Sequence, residues 1–255
     1  MKITFAGHSA VFIDSGKTTI FSDPVLRDRV MGLKLRKPVV APQELLSKVD
    51  AVIISHAHND HLHIPSLRML PSKKSAVVPE NCSKYMIKAG FSSINELKWW
   101  ESEKIGDVKI TAVPVNHVKG RYFSCGKTGV CGYVVSGSGK NILVSGDVDF
   151  GDYDYFKQIK EKFHIHAACL PVGGMREVSY YEKKRGSRNV HIDPATAWEI
   201  FNILEADILI PVHWGSLTVS KLSIDEAPLK LIEIAGEKRN KICFLHQGET
   251  LELED

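Results

Sequence analysis

Short apolar runs rich in β-branched residues recur along this chain, separated by turns and by stretches with helical spacing. Residues 2–7, 10–14 and 18–22 predict three strands joined by turns at Gly7-His8-Ser9 and Ser15-Gly16-Lys17, an antiparallel opening. Asp23-Pro24 ends the third strand, and the basic stretch 27–37 that follows has no clear period and no assigned element. Residues 42–49 predict a short helix that feeds the apolar strand 51–54. Beyond it, 64–70 and 81–89 predict helices on either side of a strand at 76–78, with Gly90 as the C′ residue of the second. Residues 108–115, 130–136 and 141–144 predict a second sheet. Strands at 167–171, 208–212 and 242–245 then alternate with helices at 153–163, 194–204 and 225–235. Two sheets with outer helices, in one domain over residues 1–255, fit this order.

The strand at 51–54 stops at His56-Ala57-His58-Asn59-Asp60-His61, which places four groups able to ligate a metal within six residues. His56 and His58 are two apart, so on a chain leaving a strand their imidazoles point to one side and can share an ion. Asp60 and His61 lie on the turn into the next helix and aim a second pair at a neighbouring point. Imidazole and carboxylate suit zinc, manganese and iron alike.

Composition narrows the partners. With 255 residues, 44% hydrophobic and 25% charged, the chain is ordinary globular protein, and a net charge of +3 gives no electrostatic footprint for nucleic acid. Five cysteines without a C-x-x-C pair point to reduced thiols and a cytoplasmic location. No signal peptide is expected, and no apolar run approaches the roughly 20 residues of a membrane span. Peripheral membrane contact and homo-oligomerisation stay open.

His56-x-His58-x-Asp60-His61 resembles the signature of the metallo-β-lactamase superfamily. That resemblance implies a four-layer αββα sandwich with metals at one edge. It further implies two divalent ions, Zn2+ first and Mn2+ or Fe2+ as alternatives. Three further ligands are required downstream, and His117, Asp147 and His213 each stand where an apolar β run ends, at strand ends that gather at one edge of a sheet. His56, His58 and His117 would bind one ion, Asp60, His61 and His213 the other, and Asp147 would bridge them. A hydroxide held between the ions would be the nucleophile, with Asp60 and His191 as the catalytic side chains. A binding protein derived from the fold would lack ligands, and an electron-transfer member would carry an acid in place of a motif histidine; neither departure occurs here.

Further segments resemble the branch of N-acylphosphatidylethanolamine-hydrolysing phospholipases D and RomA-like bacterial proteins. They are Gly7-His8-Ser9, Ser22-Asp23-Pro24-Val25, Trp99-Trp100-Glu101, His117-Val118-Lys119-Gly120-Arg121, Gly146-Asp147, the helix around Phe156, His191-Ile192-Asp193-Pro194 and His213-Trp214-Gly215. This implies an ester hydrolase, a phosphodiesterase first. Because ascorbate-phosphate lactonases share the fold and ligands, a lactonase or carboxylic ester hydrolase acting on a small anionic, phosphorylated substrate is the alternative.

Other residues carry two readings. His191 precedes a helix start at Asp193-Pro194 and is either a capping neighbour or, by the resemblance, a residue that contacts substrate or protonates the leaving group. Arg121 either clamps an anionic substrate or is a solvated surface arginine. His8 and Asp23 either orient ligand histidines or simply form turns. The segment 175–190, with Tyr180, Tyr181, Lys183, Lys184, Arg185 and Arg188, reads as a substrate-recognising loop or as plain surface. His63, His164, His166 and His246 are assigned structural roles, and Trp99 and Trp100 packing roles.

Overall fold

Successive side chains along each core strand enter different apolar clusters, and this alternation builds the layers of the molecule. The computed structural model describes residues 1–117, 120, 121, 124, 125, 127–173, 191–216 and 223–254. The chain opens with β1 (Lys2–Gly7), β2 (Ala10–Asp14) and β3 (Thr19–Ser22), then β4 (Arg29–Val30), β5 (Leu33–Lys34), α1 (Gln43–Lys48) and β6 (Val49–Ile53). It continues through α2 (Ile64–Leu67), β7 (Ser75–Pro79), α3 (Ser83–Ala89), β8 (Ile94–Leu97), β9 (Ser102–Ile105), β10 (Val108–Val113), β11 (Gly120–Arg121) and β12 (Ser124–Cys125). Next come β13 (Gly132–Gly137), β14 (Lys140–Val144), α4 (Asp154–Lys162), β15 (Ala167–Pro171), α5 (Pro194–Leu204), β16 (Ile208–Val212), α6 (Glu226–Ala235) and β17 (Thr250–Glu252).

One sheet has the order β17-β1-β2-β3-β6-β7-β8 and the other β16-β15-β14-β13-β10-β9. Ile3, Phe5, Val11, Ile13, Ile20, Ala51, Ile53 and Val77 of the first sheet meet Ile110, Tyr133, Ile142, Val144, Cys169 and Ile210 of the second in a central core. Their strand neighbours Phe12, Phe21, Val52 and Val78 pack outward with Leu67 and Met86 of the first helical layer. Val134, Leu143, Ala168 and Leu209 pack outward with Phe156, Ile200, Phe201 and Leu231 of the second. Helix, sheet, sheet, helix is the expected αββα sandwich. Both faces of each sheet are covered, which is why its central strands read as unbroken apolar runs.

Several boundaries differ from expectation. The apolar run 242–245 is not a strand: Ile242 makes a single bridge to Leu209, and the Cys243 N–H donates to the Leu209 carbonyl at 2.8 Å. Its side chains serve packing at the sheet edge, Leu245 towards the central core and Phe244 towards the outer one, so their hydrophobicity does not signal a ladder. Strands β8 and β9 gave no alternation signal because they are edge strands with half-exposed polar side chains. The unassigned basic stretch contains the β4–β5 hairpin, turned by Met31 (φ 51°) and Gly32 (φ 84°). That pair of positive angles marks a type I′ turn, built here on Met-Gly rather than the usual Asn-Gly.

Strand direction places the site. β14, β15 and β16 are parallel, and β10 runs with them because both β10 and β14 are antiparallel to β13. Their C-terminal ends therefore lie along one edge, where the C-terminal end of β6 arrives from the other sheet. No described helix is long and apolar enough to cross a membrane.

Candidate active site

The turn after β6 winds tightly, with the His61 and Leu62 N–H groups both donating to the His58 carbonyl at 3.1 and 2.8 Å. This winding brings the motif side chains against those that follow β10, β14 and β16. Two groups result. His56, His58, His117 and Asp147 each present a ligand atom within 4.8 Å of the others, as do His8, Asp60, His61 and His213. Asp147 joins them: its Oδ2 is 3.2 Å from His61 Nε2, 3.7 Å from His56 Nε2 and 3.8 Å from His117 Nε2, and its Oδ1 is 3.3 Å from His213 Nε2. All seven sequence-predicted ligands thus come together.

Hydrogen bonds on the outer side of the rings decide what faces inward. Buried Asp23 accepts the Ser55 hydroxyl at 2.6 Å, the Ser55 N–H at 2.8 Å and His61 Nδ1–H at 2.8 Å. Ser55 has spent its only proton on Asp23, so at 2.9 Å its oxygen accepts from His56 Nδ1–H. Asp149 accepts from His117 Nδ1–H at 2.9 Å. Consequently, in the neutral rings it is the Nε2 atoms of His56, His61 and His117 that carry the lone pairs.

Those lone pairs supply a test of whether metal fits. His56 Nε2 and His117 Nε2 both lie 3.0 Å from His58 Nδ1, and one proton on that atom can satisfy only one of the two. His61 Nε2, His213 Nε2, Asp147 Oδ1 and His191 Nδ1 are buried without a hydrogen-bond partner. Such convergence of unpaired donors is costly in a protein interior unless a cation sits among them. The residues fit a metal.

The electrostatics agree. Burial lowers the pKa of His61, yet Asp147 and Asp23 outweigh it and hold the ring well above its ordinary value. His213 is likewise raised, with Asp147 and Asp60 overcoming burial. His56 is held well down by burial and by the neighbouring His61 and His117, and burial and His117 take His58 to about 4. For Asp60 and Asp147, burial is outweighed by the surrounding histidines, and both stay well below the ordinary carboxylate range. Three site residues also carry backbone strain: His8 (φ 55°), Asp23 (φ 41°) and His213 (φ 56°) occupy the left-handed region that non-glycine residues seldom adopt.

The remaining expectations divide. His191 lies at the site, its Nδ1 3.6 Å from Asp147 Oδ2 and its ring stacked on His117 at 5.3 Å. Asp23 does orient a motif histidine, whereas His8 reaches Asp60, at 3.3 Å. The Arg121 side chain and the segment 175–190 lie outside the described residues. Trp100 packs in the outer core, while half-exposed Trp99 donates its indole N–H to the Val130 carbonyl at 2.7 Å. His164, His166 and Asp207 cluster at the opposite edge, where His166 Nδ1 accepts the Asn141 N–H at 3.1 Å. Sequence reasoning missed Ser55, Asp149 and Ser216. Asp149 alone had a signal, standing two residues after Asp147 and so able to point the same way on extended chain.

A family model described as a beta-lactamase superfamily domain matches residues 18–214. The mitochondrial N-acyl-phosphatidylethanolamine-hydrolyzing phospholipase D of Saccharomyces cerevisiae is 30% identical over 231 residues, covering 85% of this chain and 48% of that protein. The chain therefore spans about half the length of that relative. A UPF0173 metal-dependent hydrolase of Pyrococcus furiosus is 28% identical over 258 residues, covering 99% of this chain and 100% of its own. Among solved structures, Igni18, a metallo hydrolase of Ignicoccus hospitalis, shares the fold with a TM-score of 0.72 at 19% identity over 99% of both chains.

Proposed function

We propose that this chain, which belongs to the metallo-β-lactamase superfamily of metal-dependent hydrolases, is a binuclear phosphodiesterase acting as one domain over residues 1–255. The observation that carries this reading is the convergence of histidine Nε2 atoms from both groups on the single carboxylate of Asp147. His56, His58 and His117 would hold one ion, Asp60, His61 and His213 the other, and Asp147 both; zinc suits this donor set, as do manganese and iron. When bound, such ions supply a water of lowered pKa as nucleophile and an electrophile for the oxygen that gains charge.

The chain's own groups do the rest. Asp23, Ser55 and Asp149 lock the rings so that no reorganisation is needed on binding. Burial takes His191 down to about 4, so at neutral pH it offers substrate an uncharged ring. That favours a hydrogen bond to a substrate oxygen over proton delivery to the leaving group. Phosphodiester cleavage is supported by the yeast relative, named for hydrolysing a phospholipid diester.

Two outcomes are expected. Protein stripped of metal and reconstituted with zinc or manganese should cleave a chromogenic phosphodiester in preference to a simple lactone. Preference for the lactone would sink the phosphodiesterase reading in favour of an ester hydrolase acting on a small anionic substrate. Metal uptake should also depend on pH with a defined sign. His61 and His213 have raised pKa values without metal, so as pH falls their rings take up protons on the nitrogens an ion would need. Apparent zinc affinity should therefore fall as pH is lowered from about 8 to about 6, followed by competition with a chelator. A flat profile would contradict the ligand assignment.

A further inference from the structure

The turn between β1 and β2 holds a buried histidine that the proposed ligand set does not use. His8 is 2% exposed and Ser216 7%. The His8 Nδ1 is 2.6 Å from Ser216 Oγ, and its Nε2 is 3.3 Å from Asp60 Oδ2. Three remote segments thus meet in one line of polar atoms. Two of the three are pinned by backbone: the His8 carbonyl accepts the His213 N–H at 2.8 Å, and the Ser216 carbonyl accepts the Arg36 N–H at 2.7 Å. The rings of His8 and His213 lie 4.1 Å apart.

We infer that Ser216 and His8 form a relay that fixes the carboxylate of Asp60, which makes His8 a positioning residue for the ion that Asp60, His61 and His213 would hold. The direction of the hydrogen bonds follows from the acceptor at the far end. With the Ser216 O–H donating to Nδ1, the ring carries its proton on Nε2 and donates it to Asp60 Oδ2. The reverse assignment would set a bare nitrogen against a carboxylate oxygen. Held in this way, Asp60 keeps its remaining lone pairs for the ion and cannot rotate away. The left-handed backbone of His8 is the strain accepted to aim the ring between the two sheets.

This inference rests on the reading of Asp60 as a metal ligand, and the test separates the two. Zinc would be titrated against a chelator into wild type, His8→Asn and Ser216→Ala, with cobalt absorption spectra of each. Asn tolerates a left-handed backbone, and Ser216→Ala keeps the carbonyl that receives Arg36. The expected result is about 10–100-fold weaker binding of one zinc in His8→Asn. A smaller loss at the same zinc is expected in Ser216→Ala, with an altered cobalt spectrum and the other zinc unaffected in both variants. Wild-type titrations for both variants would overturn the relay, and so would equal weakening of both zincs with loss of fold. A zinc lost in His8→Asn and untouched in Ser216→Ala would make His8 a ligand instead. Wild type that binds no second zinc would overturn the assignment of Asp60 and the relay with it.

Discussion

Asp147→Asn is expected to lower kcat/KM by at least about 10²–10³-fold, the scale of removing one preorganised electrostatic group, while leaving a folded protein. Asp147 is 2% exposed and faces His56, His61, His117 and His213 together. Asparagine preserves its volume, so the packing around Val144 and Val148 has no reason to change. It removes the negative charge that both groups share and turns an acceptor into a donor at a point where histidine lone pairs converge. Metal content should fall below two ions per chain alongside the activity, with the circular dichroism spectrum unchanged. Wild-type turnover by this variant would refute the assigned site.

Gly146→Ala should markedly lower stability. Gly146 has φ +64°, and a Cβ there would press onto the Cβ of Ser55 and come 2.6 Å from its Oγ. Ser55 cannot yield, because Asp23 grips both its hydroxyl and its N–H. Overpacking costs about 1–3 kcal/mol and a left-handed non-glycine backbone about 1–2 more. For a chain of this size the melting temperature should drop by on the order of 10 °C. Gly139→Ala is the control: it has φ +70° but nothing within 4 Å of its Cβ, so it carries the backbone cost alone. Equal melting temperatures for the two variants would show that the Ser55 contact is not what requires glycine. Gly146→Ala should also weaken metal binding, since Ser55 and Asp23 together set the rings of His56 and His61.

Much of the candidate site was legible because metal ligation imposes residue type and spacing locally. His56, His58, Asp60 and His61 sit in one short turn, and the family resemblance then picks out His117, Asp147 and His213, each at the end of an apolar strand. The partners of those ligands were harder to see. Ser55 and Ser216 are ordinary serines until the chain folds, and their hydrogen bonds to Asp23 and His8 span 32 and 208 residues. Edge strands β8 and β9 were invisible for a different reason, since strands with half-exposed polar faces lack the apolar pattern on which prediction depends.

The sequence by itself determined the composition of the layers and the identity of the four motif candidates, because both follow from local pattern: doubly buried strands must be apolar throughout, and a metal motif must be compact. His117, Asp147 and His213 were legible only through the resemblance of the whole chain to a family. Tertiary structure alone decided which nitrogen of each ring faces inward. That choice depends on Asp23, Ser55 and Asp149 reaching the outer side of the imidazoles. Tertiary structure also decided that Asp147 lies between the two groups. Strand direction in the second sheet and the approach of β6 from the first bring those side chains to one edge, and no local stretch of sequence encodes that meeting.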